Sequence, residues 1–506
     1  MKARSISYTS TSTGRKTSAG NIESNIMAID MKTSKNNTLV FRRKFLAYIA
    51  GTAGTLGFTA SFGNSSTANE PPKGKGEGNV RSFGAKGDGR TDDSAAVQAA
   101  VDAGSGSVFF PKGVYRITKT IEVRLNIIGF TSVRSDGSSQ IIMAGTGPAF
   151  RIIGTHSKSA DPKGFSDEVW DRQRMPVIDN LAIVGDHGQA VGLEAVGTMQ
   201  LTVTRLHVRK CLHGIHLKGN NRNLTVSDCH LYENNGIGIY YDNVNIHQSN
   251  ITGCHISYNS GGGIVSKAGN VRNIQITGCD IESNMGRDMP STANILIDCS
   301  GSEWGTAEVA ITGCSIQHNN YSPGSSNIRI LGGNTFGTPP VKKRWGNVTI
   351  TGNIISDVRV NLHLKDCRGV AISGNTFWEG FEHNMLLEGC SNVVMGANVF
   401  DFNANYRRAE VSKNSVRISN CEDCTVSGLQ ITNVTDAAGL LVEDSKRLNI
   451  SGCSILDCDN AGLILRRVTD SIVSGCIIRN DTGTSGFAAI RNEGGKDNLI
   501  VNNLLS

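Results

Sequence analysis

Three things are scarce in this 506-residue chain: proline, at 10 residues, aromatics, at 6%, and apolar runs long enough to cross a membrane. Few prolines beside 59 glycines exclude a collagen-like or proline-rich disordered chain. The most apolar stretch, Phe45 to Ala60, is interrupted by Gly51, Gly54 and Gly57 and falls short of the roughly 20 apolar residues a spanning helix needs. A basic face is also missing. The formal charge is +6, yet residues 1–68 hold nine of the 50 Lys and Arg and two of the 44 acids, so the remainder carries 41 against 42. Nucleic acid is thereby set aside as a partner, because such binding rests largely on phosphate neutralisation. There is no nucleotide-binding glycine loop, no metal-spaced Cys/His cluster and no nucleophile elbow.

A leader is present. Residues 1–40 are polar and without hydrophobic period, and they run into Arg42-Arg43-Lys44-Phe45-Leu46, which resembles a twin-arginine export signal, with Ser66-Thr67-Ala68 as a cleavage site. Met31 is an alternative start. The expected location is periplasmic or extracellular, the competing reading of the apolar stretch being a membrane anchor.

What fills the rest is a repeat. The phrase apolar-x-Gly-Cys/Asn-x-apolar returns with its fourth position at Cys229, Cys254, Cys279, Cys314, Asn353, Asn375, Asn398, Cys453, Cys476 and Asn503. A commonest interval of 23 to 25 residues is too short for a pair of helices and suits one coil of three short strands. Alternations such as Gly236-Ile237-Gly238-Ile239 and Gly462-Leu463-Ile464-Leu465 are those of half-buried strands. The expected fold class is all-β, a right-handed parallel β-helix with a short N-terminal capping helix. Its expected organisation is a leader (1–68), a linker (69–78) and a single domain (79–506), with regular repeats over 178–506. Of the 13 cysteines, Cys229, Cys254, Cys279, Cys314, Cys453 and Cys476 fall on one repeated position and Cys367, Cys390 and Cys421 on a second, so they read as buried thiols in ladders rather than as a disulfide framework. Asn353, Asn375 and Asn398 read as an inward ladder bonding orphan backbone groups.

The stretch Asn79-Val80-Arg81-Ser82-Phe83-Gly84-Ala85-Lys86-Gly87-Asp88-Gly89-Arg90-Thr91-Asp92-Asp93, with Val108-Phe109-Phe110-Pro111-Lys112-Gly113-Val114-Tyr115 after it, resembles the opening of the pectate-lyase-like domain. Rhamnogalacturonases, epimerases and related β-helix enzymes share that domain. Thr91 or Asp92 is placed to cap a helix over Ala95 to Val101, ending at Gly104. The acid pair Asp92-Asp93 therefore reads as a turn and a cap.

The resemblance implies a groove along one sheet, with paired acids for hydrolysis, or a base with a metal ion or arginine for lyase and epimerase chemistry. The galacturonan-hydrolase phrase Gly-Asp-Asp-x-Ile is replaced here by Glu233-Asn234-Asn235-Gly236-Ile237, and Asp186-His187-Gly188 and His213-Gly214 only echo a Gly-His-Gly. Galacturonan hydrolysis of the ordinary kind is therefore not expected. Stepping four residues past each ladder position gives a column at one turn: Lys210, Glu233, Tyr258, Ser283, His318, Asp357, Glu379, Phe402, Asn433, Asp457 and Asn480. His318, Asp357 and Glu379 fall on consecutive coils and are the candidate catalytic residues, against the alternative that the column is solvated turn residues. The longest insertions lie nearby, at Met285 to Ala293, Ser300 to Ala307, Tyr321 to Ser326, Asn334 to Asn347 and Asn403 to Ser415. Arg344, Arg359 and Arg407 are candidates to hold uronate carboxylates, and Trp345, Trp378 and Tyr406 to stack on sugar rings. A lyase would take Lys210 or Arg359 as base, with a Ca2+ ion held by Asp357 and Glu379; no other cofactor is expected. The partner is a polysaccharide, uronic-acid-containing if those cations serve it, and the chain a monomer or small homo-oligomer. Three readings stay open: an exported carbohydrate-active enzyme (hydrolase, lyase or epimerase), a non-catalytic glycan-binding or envelope protein, and an adhesin.

Overall fold

The computed structural model describes residues 78–506 except 138, 159, 160, 162, 163, 404, 407–410 and 484. The leader and nearly all of the expected linker lie outside the described residues. After a short strand at Gly78–Asn79 and a 3-10 turn at Val80–Phe83, one helix, Ser94–Asp102, is set against the first coils. The two acids before it are structural. Asp92 accepts from the Ser94 backbone N–H at 3.0 Å and from the Thr118 hydroxyl at 2.6 Å. Asp93 accepts from the N–H groups of Lys86 at 2.7 Å and Gly87 at 3.0 Å. The N-terminal oxygen is thus supplied by Asp92, one residue earlier than the backbone cap at Asp93.

Beyond this start the chain winds as a right-handed parallel β-helix with three faces. The coil that opens with Asn245–Thr252 shows the plan: that strand lies on the first face, His255–Ser257 on the second and Gly262–Lys267 on the third. Each pairs in parallel with its counterpart one coil on, at Asn270–Thr277, Asp280–Glu282 and Ala293–Asp298. Strands Ile354–Lys365 and Thr376–Glu388 run through from the second face to the third. Because side chains alternate, every second residue enters the core, and equivalent residues stack one above another at a spacing of about 4.8 Å. Ile256, Ile281, Ile316, Ile355, Phe377 and Phe400 form one such buried column, closing with two parallel rings 4.7 Å apart.

The corners explain the repeat phrase. Gly253, Gly278, Gly313 and Gly352 turn the first face into the second with φ near +60°, where a Cβ is strained. At the next corner Lys210, Glu233, Tyr258, Ser283, His318, Asp357, Glu379, Asn433 and Asp457 all have positive φ. The column counted from the sequence is therefore a left-handed turn position, although Phe402 and Asn480 do not share the conformation. All 13 cysteines are buried and free, with the Sγ–H of Cys254, Cys279 and Cys314 directed at the carbonyls of Val226, Ile251 and Ile276. The expected asparagine ladder is present: Asn353 Nδ2 donates to Asn375 Oδ1, and Asn375 Nδ2 to Asn398 Oδ1, each at 3.0 Å. A longer one escaped the sequence reading. Asn234, Asn259, Asn284, Asn294, Asn327, Asn361 and Asn384 pass side-chain hydrogen bonds of 2.7–2.8 Å along the second corner, from coil to coil except for the step from Asn284 to Asn294 within one coil.

Candidate functional site

On the second face the outward side chains change character in the middle coils. Early coils present His207, His230 and His255, stacked in register. From Gln317 onward the same face carries a groove of about 440 Å³ lined by Gln317, His318, Ser356, Asp357, Trp378, Asp401 and Tyr406, among others. Gln317 pairs with Ser356 and Ser356 with Trp378, while Thr376 pairs with Val399, which sets Asp401 on the coil after Trp378. The left-handed corner carries His318 and Asp357 to the rim on consecutive coils, with Nδ1 and Oδ2 3.8 Å apart. Asp357, only 4% exposed, accepts a hydrogen bond from the Ser356 hydroxyl at 2.7 Å. Asp401 accepts from the Thr432 hydroxyl at 2.6 Å. The Trp378 and Tyr406 rings meet edge to face at 5.0 Å, and Tyr406, 75% exposed, lines the groove together with Asn403. The groove continues past Asp401 and Asn403 into a second hollow of about 530 Å³ that reaches Asn433, Asp457 and Asp459.

The proposed residues divide on these facts. His318, Asp357, Trp378 and Tyr406 come together. Glu379, although in register with Asp357, is 0% exposed and does not line the groove. Arg359 is bound by the Asn320 carbonyl at 2.7 Å and by Glu382 at 3.3 Å, outside the lining. Arg344 and Trp345 end an antiparallel hairpin, Gly333–Phe336 with Val341–Arg344, and line a separate cavity on the first face. Arg407 lies outside the described residues. Asp401 went unnoticed because it precedes the turn position that was counted; its signal was the register with Trp378.

A second titratable cluster, also unread in the sequence, sits on the third face. His213, His216 and Tyr240 have ring centroids 5.1–5.2 Å apart, with His216 and Tyr240 nearly parallel. His213 Nδ1 accepts from the Ile237 N–H at 3.1 Å, and His216 Nε2 is 2.9 Å from Asp242. Burial, then neighbouring His216, lowers the His213 pKa to about 4. Burial lowers that of His216, and burial with Asp242 raises that of Tyr240 to about 12. Glu194 pairs with His216 and His216 with Tyr240, so stepping by one coil from Glu194 would have found them. Among the described residues no group of three or more His, Cys, Asp or Glu is arranged to hold a metal ion, and no helix is long and apolar enough to cross a membrane.

Parts of the chain match models of the pectate-lyase-like and right-handed β-helix kind that its opening residues resemble. Residues 78–145 match the family model described as rhamnogalacturonase A/epimerase, pectate lyase-like. Residues 168–300 match the right handed beta helix region, and 308–506 the periplasmic copper-binding protein (NosD) model. Mannuronan C5-epimerase AlgE1 of Azotobacter vinelandii is 31% identical over 186 residues, 32% of this chain and 12% of that protein. A probable glucan endo-1,3-beta-glucosidase of Arthroderma benhamiae is 42% identical over 73 residues, 14% of this chain and 8% of that protein. The chain thus spans a small part of these relatives' lengths. Among solved structures, tailspike protein 3 of bacteriophage CBA120 superposes with a TM-score of 0.51 at 16% identity, over 84% of this chain and 61% of that one. That likeness is one of fold.

Proposed function

We propose that the chain is an exported carbohydrate-active enzyme that hydrolyses an uncharged polysaccharide in the second-face groove. The observation that carries this reading is the lining itself, two carboxylates on either side of a tryptophan, beside an imidazole and an exposed tyrosine. Asp357 and Asp401 stand two coil steps apart, roughly 9.6 Å along the helix axis. That is close to the upper end of the roughly 6.5–9.5 Å between carboxyl groups in inverting glycosidases. Trp378 between them is the platform for the sugar at the cleavage point, and Tyr406 bounds the adjoining one.

In this scheme Asp401 takes a proton from water as its oxygen attacks the anomeric carbon. Asp357 gives its proton to the departing glycosidic oxygen as that bond breaks. His318 at 3.8 Å is placed to return a proton to Asp357. Glu379 belongs to the enclosed layer behind this pair, and Arg359 braces the rim through Asn320 and Glu382. Among the described residues no Lys or Arg lines either part of the groove, whereas Asp357, Asp401, Asp457 and Asp459 do, and these four acids disfavour a polyuronate. Relatives named for both glucan and mannuronan leave room for either substrate, and the electrostatics favour the neutral one. Export rests on the arginine pair of the leader and on the periplasmic protein model matched by residues 308–506.

Incubating the purified chain with neutral and uronic polysaccharides tests the reading. New reducing ends from a neutral glycan, without ultraviolet absorbance from unsaturated products, are expected. An unsaturated product from a uronate would make it a lyase. Binding with neither signal would make it a glycan-binding protein.

A further inference from the structure

Arg344 and Trp345 remain unused by that chemistry, and so does the cavity they line. The outward strip of the first face explains why a cavity exists there. Arg272 pairs with Ala307, Gly346 with Arg368, Arg368 with Ser391 and Ser391 with Glu422. Val309 pairs with Val348, which sets Ala307 opposite Gly346. The strip therefore reads Arg, Ala, Gly, Arg on four successive coils. Two coils without a substantial side chain, between two arginines roughly 14 Å apart, leave a hollow of about 520 Å³.

The walls are fixed and their charge is one-sided. Arg272 lies 4.8 Å over the Trp345 ring and donates to the carbonyls of Val271 at 2.7 Å and Gly305 at 2.5 Å. Arg344 is shared with the Ser391 hydroxyl at 3.3 Å and Glu422 at 3.2 Å. Arg368 is exposed and makes no ion pair among the described residues. Glu308 is the single acid in the lining, which Asn347 and Asn392 complete.

We propose that this hollow is a second glycan site, independent of the groove, that takes a sugar unit bearing an oxyanion: a carboxylate, phosphate or sulfate. Two arginines on either side of a floor formed by Ala307 and Gly346 suit such a ligand, because guanidinium N–H groups left over from the backbone contacts can donate to a planar or tetrahedral oxyanion. The volume fits one or two sugar units. The site holds the enzyme on an acidic polymer, and the neutral chain is cut on another face.

Electrophoresis of the full chain through gels containing polygalacturonate, dextran sulfate, a phosphorylated dextran or plain dextran tests this. Retardation by at least one charged polymer, weakened by added salt and absent with plain dextran, is expected. The polymer that retards identifies the oxyanion. Arg368→Ala should weaken that binding by about tenfold, the loss of one hydrogen bond to a charged group. Release of reducing ends from a neutral glycan should stay unchanged in this variant. Asp357→Asn should leave the retardation intact. The proposal is overturned if no charged polymer retards the chain, if Arg368→Ala binds as before, or if Asp357→Asn abolishes the retardation.

Discussion

The second and third faces each gather titratable side chains in neighbouring coils, and they use them in opposite ways. On the third face the partners answer one another. His213 Nδ1 takes a backbone N–H, His216 faces Asp242, and Glu194 is held by Arg151 at 2.6 Å and Lys218 at 3.4 Å. On the second face Asp357 and Asp401 each accept from one hydroxyl and open, with Trp378 and Tyr406, onto a groove. Displaced pKa values mark the first cluster and a substrate-sized hollow marks the second. Perturbed ionisation signals a functional site only in probability, since enclosed polar networks produce it as well. A hydrolytic acid must also reach the bond it breaks.

The strongest way to break this contrast is to exchange the two faces' roles by mutation. Asp357→Asn and Asp401→Asn should each lower turnover on a neutral glycan by about a thousandfold, within the range of a lost acid or base, with Tm little changed. His216→Gln and Tyr240→Phe should leave turnover within a factor of about three of the parent, as residues remote from the reacting bond. Inactive third-face variants beside active aspartate variants would move the chemistry to His216 and Tyr240.

The next effect is on stability. His213 has a folded pKa of about 4 against an ordinary 6.5, so the unfolded chain takes up its proton first as pH falls. Stability is therefore whole above about pH 6.5 and declines toward pH 4, by at most about 3 kcal/mol. Urea unfolding at several pH values measures it, and His213→Gln should flatten the acid side of the curve. An unchanged curve in that variant would show that the third-face cluster is not closed.

A smaller effect separates two residues of one turn. Asn284 donates to the Ile256 carbonyl at 2.7 Å and to Asn294 Oδ1 at 2.8 Å, and its own Oδ1 receives Asn259. Asn284→Ala should cost about 2 kcal/mol, because buried partners lose their bonds. Ser283→Gly, one residue earlier at φ +54°, should cost nearly nothing or stabilise slightly. These two positions show why the scaffold was legible in the sequence and the site was not. The inner position of the corner must satisfy backbone groups, so Asn recurs there, as Gly and Cys do at theirs. The outer position needs only to tolerate a left-handed turn, and Lys210, Tyr258, His318 and Asp357 all do so. The spacing of the repeat therefore located His318 and Asp357 in the groove. It could not say that Glu379 is enclosed, that Asp401 faces Trp378's strip, or that Arg344 and Trp345 belong to another face. Those facts depend on register and on where each insertion folds.

The smallest expected effect is none at all, and it tests what the faces have in common. Cys229, Cys254, Cys279 and Cys314 lie one coil apart, near enough along the axis for oxidation to be conceivable. Yet each sulfur is directed at backbone carbonyls, as Cys254 is at Val226 and Thr252, and a disulfide would remove those contacts. Reductant should therefore leave Tm and the unfolding curve unchanged. A thiol reagent should count 13 groups in denaturant without reductant and almost none in the folded chain. A lower count in denaturant would mean that covalent links, and not stacked thiols, hold the coils on which both faces are displayed. The depth of each groove would then be set by a cross-link as well as by register.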